Sequence, residues 1–196
     1  RQNFIDFLSE VVPVAQDLGL RMCCHPDDPP FDLLGLPRVM STEDDYQSMM
    51  DAVDLPANGI TLCTGSLGAR PDNDLPGMME RLGDRVHFLH LRNVKREADG
   101  IRGSFYEAEH LGGDTDMVAV IAAALREKGT ELIYVPVPTK SLAMPDRVPE
   151  SVGSYGFDME IAEVAYDAFL KKMADAGVTV IDTMRAMRGA EGAPFL

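Results

Sequence analysis

Two histidines and a cysteine stand where three consecutive apolar segments end, and these residue types bind metal ions. His25 ends the segment LRMCCH, Cys63 lies near the end of GITLCTGS, and His90 lies near the end of RVHFLHLRN. Imidazole and thiolate are ligands for borderline divalent cations, and their softness favours zinc or iron. Since neighbouring parallel strands lie about 5 Å apart, three strand ends can bring such donors to one ion. We therefore predict that His25, Cys63 and His90 are metal ligands.

Each of these residues also has a structural interpretation when taken alone. A single histidine at a strand end is most often a hydrogen-bonded structural group, and a buried cysteine is most often a small apolar core residue. Cys23 and Cys24 are predicted to be core residues, and His87 is predicted to face the opposite side of the sheet from His90. The repetition of metal-binding residue types at three successive strand ends is the observation that favours a metal site.

Charged residues beside the histidines extend the predicted site. Asp27 and Asp28 follow His25 and could either orient the histidine or cap the next turn; we expect one of them to be a cap, with the assignment left open. Arg92 follows His90 and is predicted to bind a substrate carboxylate, because a guanidinium binds carboxylates through two hydrogen bonds. The catalytic acid and base are not identified by any residue pattern.

The elements that must position these residues alternate between strand and helix. Apolar spacing and capping residues predict helices over residues 3–18, 41–53, 72–83, 116–129 and 157–177. Continuously apolar runs predict strands over residues 20–25, 59–66, 85–93, 130–138 and 178–184. We expect an α/β fold with parallel strands, either a partial TIM barrel or an open doubly wound sheet, since five strands cannot close an eight-stranded barrel. The long charged segment 94–115 is predicted to be a functional loop.

Composition narrows the class of protein. The 196 residues carry a net charge of −14, which argues against a nucleic-acid partner because phosphate binding needs clustered Lys and Arg. We expect no membrane span, since no run of about 18 apolar residues occurs, and no signal peptide at the start. Three cysteines make no disulfide framework, so a cytoplasmic location is expected. The first residue is Arg rather than Met, which favours a fragment of a longer protein.

Three stretches resemble mannonate dehydratase of the hexuronate pathway, which includes glucuronate catabolism. They are HPDDPPFDLLGLPRVMSTEDDY, ANGITLCTGSLGARPDNDL and the segment from RVHFLHLRN to GGDTDMVAVI, and the likeness covers residues 1–125. The resemblance implies a TIM barrel that converts D-mannonate to 2-keto-3-deoxy-D-gluconate with a divalent metal, Mn²⁺ or alternatively Fe²⁺. It also implies that His25, Cys63 and His90 match the metal ligands of that family, and that the partner is a small anionic sugar acid.

The likeness is expected to end near residue 125. The family continues to an Arg-Pro-Asp-His-Gly-His motif that supplies a further metal ligand and catalytic groups, whereas the corresponding strand here reads ELIYVPVPTK. Residues from about 120 to 196, through LIYVPVPTK and GVTVIDTMRAM…GAPFL, resemble SGNH-type alginate O-acetyltransferase-like proteins. We therefore expect a dehydratase-like part over 1–125 and a second α/β segment over 126–196, packed as one domain.

The predicted function is that of a metal-dependent lyase with weak or no turnover, because the acid and base candidates belong to the absent motif. The alternatives are a non-catalytic carbohydrate-binding or structural remnant, and a fragment of an acetyltransferase-like protein. Whether the chain forms a homo-oligomer is left open by the sequence.

Overall fold

The structure is a computed structural model that describes residues 1–136, 138, 140–144, 149 and 158–188. It divides into two compact units, Arg1–Lys128 and Gly129–Leu196. The expected packing of residues 1–125 and 126–196 as one domain stays a prediction. Among the described residues, no helix has the length and apolar character needed to cross a membrane.

The first unit is a three-stranded parallel sheet with helices and a separate hairpin. Its elements in chain order are α1 (Gln2–Asp17), β1 (Met22–Cys24), α2 (Glu43–Ala52), β2 (Asn58–Cys63), α3 (Thr64–Gly68), α4 (Leu75–Leu82), a 3-10 turn (Gly83–Arg85), β3 (Val86–His90), β4 (Asn93–Arg96), β5 (Phe105–Ala108) and α5 (Met117–Glu127). The strand order is β1-β2-β3. The predicted α/β class with parallel strands is confirmed.

Side-chain caps explain where the helices begin. Thr42 and Asp45 form a capping box at the start of α2, in which each side chain accepts a backbone N–H of the other residue. Asp74 and Asp116 are the N-cap residues of α4 and α5, and the side chain of each accepts one backbone N–H of its helix. α1 continues through Pro13.

One face of the sheet packs against the helices. The opposite face, called the open face below, is less covered. Ile60 and Leu62 of the central strand are fully buried and join residues of α1, α2, α4 and α5 in one apolar core. On the other face Phe88 is 56 % exposed, and Cys23 is exposed as well. The prediction of Cys23 as a core residue is therefore wrong, because only the face that carries Cys24 meets the core.

An irregularity of register changes the position of His87. β2 pairs with β3 from Ile60↔Val86 to Thr61↔Phe88, which leaves His87 as an extra residue. Its ring lies over Gly59, where an added Cβ would fall 2.1 Å from His87 Cδ2. Gly59 belongs to the open face, as Cys63 does, because side chains alternate along a strand. His87 is thus on the same face as His90 but near the start of the strands, contrary to the prediction.

The segment 94–115, predicted as a loop, contains most of an antiparallel hairpin. β4 pairs with β5 from Asn93↔Ala108 to Arg96↔Phe105. Asp114 anchors the loop end of β4, since its carboxylate accepts a backbone hydrogen bond from Arg96 at 2.7 Å and pairs with the Lys95 ammonium. The predicted strand 59–66 is also shorter than expected, because α3 begins at Thr64.

The second unit carries one short parallel pair of strands. Its described elements are β6 (Ile133–Tyr134), α6 (Lys140–Ala143), α7 (Met159–Asp175), β7 (Thr179–Val180) and α8 (Thr183–Arg188). β6 pairs with β7 in parallel. The predicted strand 178–184 is shorter than expected because α8 begins at Thr183. The predictions for residue 137 of strand 130–138, for residue 157 of helix 157–177, and for the terminal GAPFL lie outside the described residues.

Candidate metal centre

The three predicted metal ligands meet at one end of the parallel sheet. His25 directly follows β1, and Cys63 and His90 are paired last residues of β2 and β3. The ligand atoms of all three residues lie within 4.8 Å of one another, and His25 Nε2 is 3.3 Å from His90 Nδ1. The shared strand end therefore places two imidazoles and one sulfur in a group that could hold a metal ion.

The ring of His25 is oriented by the backbone. Its Nδ1 donates a hydrogen bond to the Pro26 carbonyl oxygen at 2.8 Å, which requires the proton on Nδ1. In the neutral ring Nε2 then carries a lone pair directed toward His90 Nδ1. A backbone carbonyl on the distal nitrogen is the usual support of a metal-binding histidine. The donor set and this support both fit a divalent cation.

Cys63 lies in a different environment from the two histidines. It is fully buried and is the N-cap residue of α3. Its sulfur accepts a hydrogen bond from the Ser66 backbone N–H at 3.5 Å and lies 3.3 Å from Ser66 Oγ. The Cys-x-x-Ser spacing is that of an N-cap and its third helical residue, and this signal could have identified Ser66 from the sequence.

The Ser66 hydroxyl connects the sulfur to a charged network. It donates to Asp28 Oδ2 at 3.0 Å, and Arg92 Nη1 donates to the same oxygen at 2.6 Å. Arg92 also pairs with Glu107 of β5. The hydrogen bonds to Glu107 and Asp28 raise the pKa of the Arg92 guanidinium further above its ordinary value. A carboxylate of a bound molecule would compete for Arg92 with these two acids.

The roles of the two aspartates after His25 are now separate. Asp27 Oδ2 accepts the backbone N–H groups of Val39 and Met40 at 2.7 and 2.8 Å, so Asp27 ties down the loop that follows β1. Asp28 is the acid beside the group of His25, Cys63 and His90. It contacts Ser66 and Arg92, and its described hydrogen bonds do not include His25.

Two further residues support the site. Thr64 Oγ1 accepts the backbone N–H of Arg92 at 3.0 Å and donates to the Arg92 carbonyl at 2.5 Å. Gly65 lies against the Arg92 side chain, since an added Cβ would fall 2.3 Å from Arg92 Cγ. A larger residue at position 65 would therefore displace the guanidinium from Asp28.

Asn93 is a buried support that the sequence did not reveal. It is 1 % exposed, and its amide nitrogen donates to the carbonyls of His110 and Thr115 at 2.7 and 3.0 Å. Its amide oxygen accepts the backbone N–H groups of Val94 and Thr115. This one side chain joins the start of the hairpin to the segment before α5.

The remaining cysteines and histidines lie outside the group. Burial raises the pKa of the Cys24 thiol to about 12, which keeps it protonated at neutral pH. His87 Nε2 donates to the Pro56 carbonyl at 2.9 Å, and His110 Nε2 lies 3.1 Å from the Leu91 carbonyl. Neither imidazole belongs to the group of His25, Cys63 and His90 that could hold a metal ion.

Comparisons with protein families, curated proteins and solved structures all match this chain to mannonate dehydratases. The family model described as D-mannonate dehydratase (UxuA) matches residues 1–165. Mannonate dehydratase 1 of Agrobacterium fabrum is 62 % identical over 128 residues, which are 65 % of this chain and 32 % of that protein. Mannonate dehydratase of Saccharophagus degradans is 58 % identical, with the same coverage. The crystal structure of mannonate dehydratase from Streptococcus suis serotype 2 superposes with a TM-score of 0.59 at 36 % identity, covering 64 % of this chain and 36 % of that one.

The comparisons cover only part of the relatives and support only one of the two resemblances stated from the sequence. The chain spans about a third of the length of the curated relatives it matches. The predicted likeness of residues 120–196 to SGNH-type acetyltransferase-like proteins is not supported. The curated relatives align over 126–128 residues, as the predicted end near 125 implies, whereas the family model matches residues 1–165. Short apolar strands followed by helices are shared by many α/β proteins, so this pattern alone does not identify a family. The chain belongs to the D-mannonate dehydratase (UxuA) family.

Proposed function

We propose that this chain provides part of the active site of a metal-dependent hydro-lyase acting on D-mannonate. The observation that carries the proposal is the convergence of His25, Cys63 and His90 in a member of the D-mannonate dehydratase family. The reaction removes the proton on C2 and the hydroxyl on C3 as water, and the resulting enol becomes 2-keto-3-deoxy-D-gluconate. The substrate is a small anionic sugar acid.

His25 Nε2, Cys63 Sγ and His90 Nδ1 are the atoms that we propose as ligands. The resemblance favours Mn²⁺, with Fe²⁺ as the alternative. A bound divalent ion supplies Lewis-acid stabilisation of negative charge on substrate oxygens. The protein's part is to keep the three donors together, through the Pro26 carbonyl on His25 and the Ser66 contacts on Cys63.

Arg92 stays a prediction as the substrate-binding residue. Its pairs with Asp28 and Glu107 hold the guanidinium beside the Ser66–Cys63 contact. A substrate carboxylate would replace the more exposed partner, Glu107, whose side chain is 65 % exposed. The catalytic acid and base are not assigned, and we propose that they belong to the Arg-Pro-Asp-His-Gly-His motif that the family resemblance implies and this sequence lacks.

The sheet β1-β2-β3 is proposed to represent consecutive strands of a TIM barrel. Its open face, which carries Phe88 and Cys23, would correspond to the barrel interior, where side chains of further strands pack. A cytoplasmic location and a homo-oligomer remain predictions.

A metal-binding measurement tests the proposed function. We expect the purified chain to bind Mn²⁺ with a stoichiometry of one, and Cys63→Ala to weaken binding by about tenfold or more. Cys24→Ala is the matched control, because Cys24 is a nearby half-buried thiol outside the group. Equal Mn²⁺ affinity in wild type and Cys63→Ala would contradict the proposal and favour a non-catalytic α/β remnant.

Activity is measured in the same samples. We expect weak or no formation of 2-keto-3-deoxy-D-gluconate from D-mannonate, because the acid and base candidates are missing. Full dehydratase turnover by the chain would show that the catalytic groups lie within these 196 residues.

A further inference from the structure

Helix α7 of the second unit has apolar residues on two faces, and only one face packs within the described part of that unit. The inner face carries Leu170, which is buried, and Phe169, whose ring meets the Tyr134 ring edge-on with 5.7 Å between the ring centroids. The opposite face carries Ile161 and Val164, which are 68 % and 69 % exposed. A helix with apolar residues on more than one face is typical of a helix that is covered on more than one face.

The exposed apolar residues form one continuous row, called the outer stripe below. It consists of Ile161, Val164, Ala165 and Ala168, all of them exposed. Their spacing of three, four and seven positions from Ile161 places them on one side of a helix. The two larger side chains precede the two alanines, so the stripe is wide at one end and shallow at the other. Alanines let a second helix approach closely.

The outer stripe is complementary to itself when two copies of α7 lie antiparallel. A two-fold axis midway between Val164 and Ala165 places Ile161 of each copy level with Ala168 of the other copy. Each large side chain then meets a small one, which is the arrangement that lets two surfaces interdigitate. In a parallel pair, Ile161 would meet Ile161 and Ala168 would meet Ala168, which leaves a gap at the alanine end.

Charge selects the same orientation. The N-terminal end of α7 carries Asp158 and Glu160, and the C-terminal part carries Lys171 and Lys172. Antiparallel copies place the acidic end of one helix beside the basic end of the other, whereas parallel copies would place like charges together. Lys171 pairs with Asp175 of its own helix at 2.5 Å, and both side chains are largely exposed. Such an exposed pair contributes little, so Lys171 can exchange it for an acid of a second copy.

We propose that the outer stripe is a docking surface for a second copy of this chain, and that two copies associate through antiparallel α7 helices. The centre of the contact has four residues from each copy, far fewer than the roughly 20–30 residues on each side of a stable interface. The dimer is therefore weak, with a dissociation constant between about 10 µM and 1 mM. The proposal does not depend on metal binding or on the proposed function.

Sedimentation equilibrium of the full chain at physiological salt tests the proposal. Over concentrations that bracket the expected dissociation constant, we expect a reversible monomer–dimer equilibrium without larger species. Ala168→Glu should weaken it about tenfold or more, because it sets a carboxylate against Ile161 at both ends of the contact. Ala174→Glu is the matched control, since Ala174 is an exposed alanine of the same helix outside the outer stripe, and it should leave the equilibrium unchanged.

Cross-linking covers the case in which Ala168→Glu fails to fold. The exposed Cys23 is first replaced in Cys23→Ser. In that background, Ala165→Cys places a thiol next to the two-fold axis, and a short bismaleimide should join two copies. Ala174→Cys, in the same background, should give far less covalent dimer.

Three results would overturn the proposal. The first is a chain that stays monomeric at the highest concentration. The second is association of folded Ala168→Glu that equals wild type, which would point to the edges of the β1-β2-β3 sheet instead. The third is equal cross-linking of Ala165→Cys and Ala174→Cys.

Discussion

His25 and His90 face each other at the end of the sheet, with Nε2 of the first residue 3.3 Å from Nδ1 of the second. His25 Nδ1 donates its hydrogen bond to the Pro26 carbonyl oxygen. In the neutral ring, the space between His25 Nε2 and His90 Nδ1 therefore holds either a proton on His90 Nδ1 or a cation between two lone pairs. These residues are 65 positions apart in the sequence. Only the parallel register of β1, β2 and β3 brings them together.

This arrangement predicts a selective effect of histidine substitutions on metal affinity. His25→Ala and His90→Ala should each weaken Mn²⁺ binding about tenfold or more, because each removes one of three donors. His87→Ala is the control, since His87 lies on the same sheet face but donates to the Pro56 carbonyl. Calorimetric titration of the three variants checks the prediction. Equal losses in all three would indicate a general effect on folding rather than the loss of a ligand.

Asn93→Asp is expected to destabilise the fold. The replacement removes the amide donors to the His110 and Thr115 carbonyls and sets a carboxylate oxygen against one of these carbonyls in a buried position. The expected loss is roughly 2–4 kcal/mol in the free energy of unfolding. Urea denaturation measures it, with the same substitution at the exposed Asn3 as control. An unfolding midpoint equal to that of wild type would show that the segment before α5 is held by other contacts.

Asp114→Asn should reduce stability in a pH-dependent way. The hydrogen bond from Lys95 and the backbone N–H of Arg96 hold the pKa of the Asp114 carboxyl below its ordinary value of 3.8. A lowered folded pKa stabilises the protein fully above pH 3.8, and this stabilisation is lost as the pH falls through the folded pKa.

At pH 7 we expect Asp114→Asn to lose about 1 kcal/mol of unfolding free energy, because the charge-assisted bonds are weakened. The difference from wild type should shrink in acid below pH 3.8. Thermal melts from pH 7 downward provide the measurement. Asp84→Asn, at an exposed position, should change stability by less than about 0.5 kcal/mol. A difference that grows on acidification would have the wrong sign for the lowered pKa.

Tyr46→Phe is expected to leave the protein as stable as wild type or slightly more stable. Tyr46 is fully buried, and its hydroxyl has no hydrogen-bond partner among the described residues. Burial also raises the pKa of this phenol well above its usual range. Removal of an unpaired buried hydroxyl should gain about 1 kcal/mol. Tyr106→Phe, at an exposed ring, is the control. A clear loss of stability in Tyr46→Phe would reveal a buried water or other partner of the hydroxyl.

The sequence was sufficient to predict that two histidines and a cysteine meet at one end of the sheet. Parallel strands share one functional end, so residue type and position at each strand end were enough for His25, Cys63 and His90. The capping residues Thr42 and Asp74 were also predictable, because an N-cap depends on neighbours three positions away.

Other features depend on contacts between distant segments. The extra residue His87 results from a pairing irregularity between β2 and β3, which a strict two-residue alternation cannot predict. The strands of the hairpin are flanked by glycines and charges, so its polar sequence resembles an ordinary loop. The roles of Asn93 and Ser66 depend on partners supplied by the tertiary fold.

The order of the small sheet has a practical consequence for work with this chain. In the part of the chain that the structure describes, β1 and β3 each pair with β2 alone, so each has an outer row of peptide groups without a neighbouring strand. Such rows accept strands from other molecules, and the exposed Phe88 ring lies beside one of them. We therefore expect concentrated samples of the chain to associate through intermolecular strand addition.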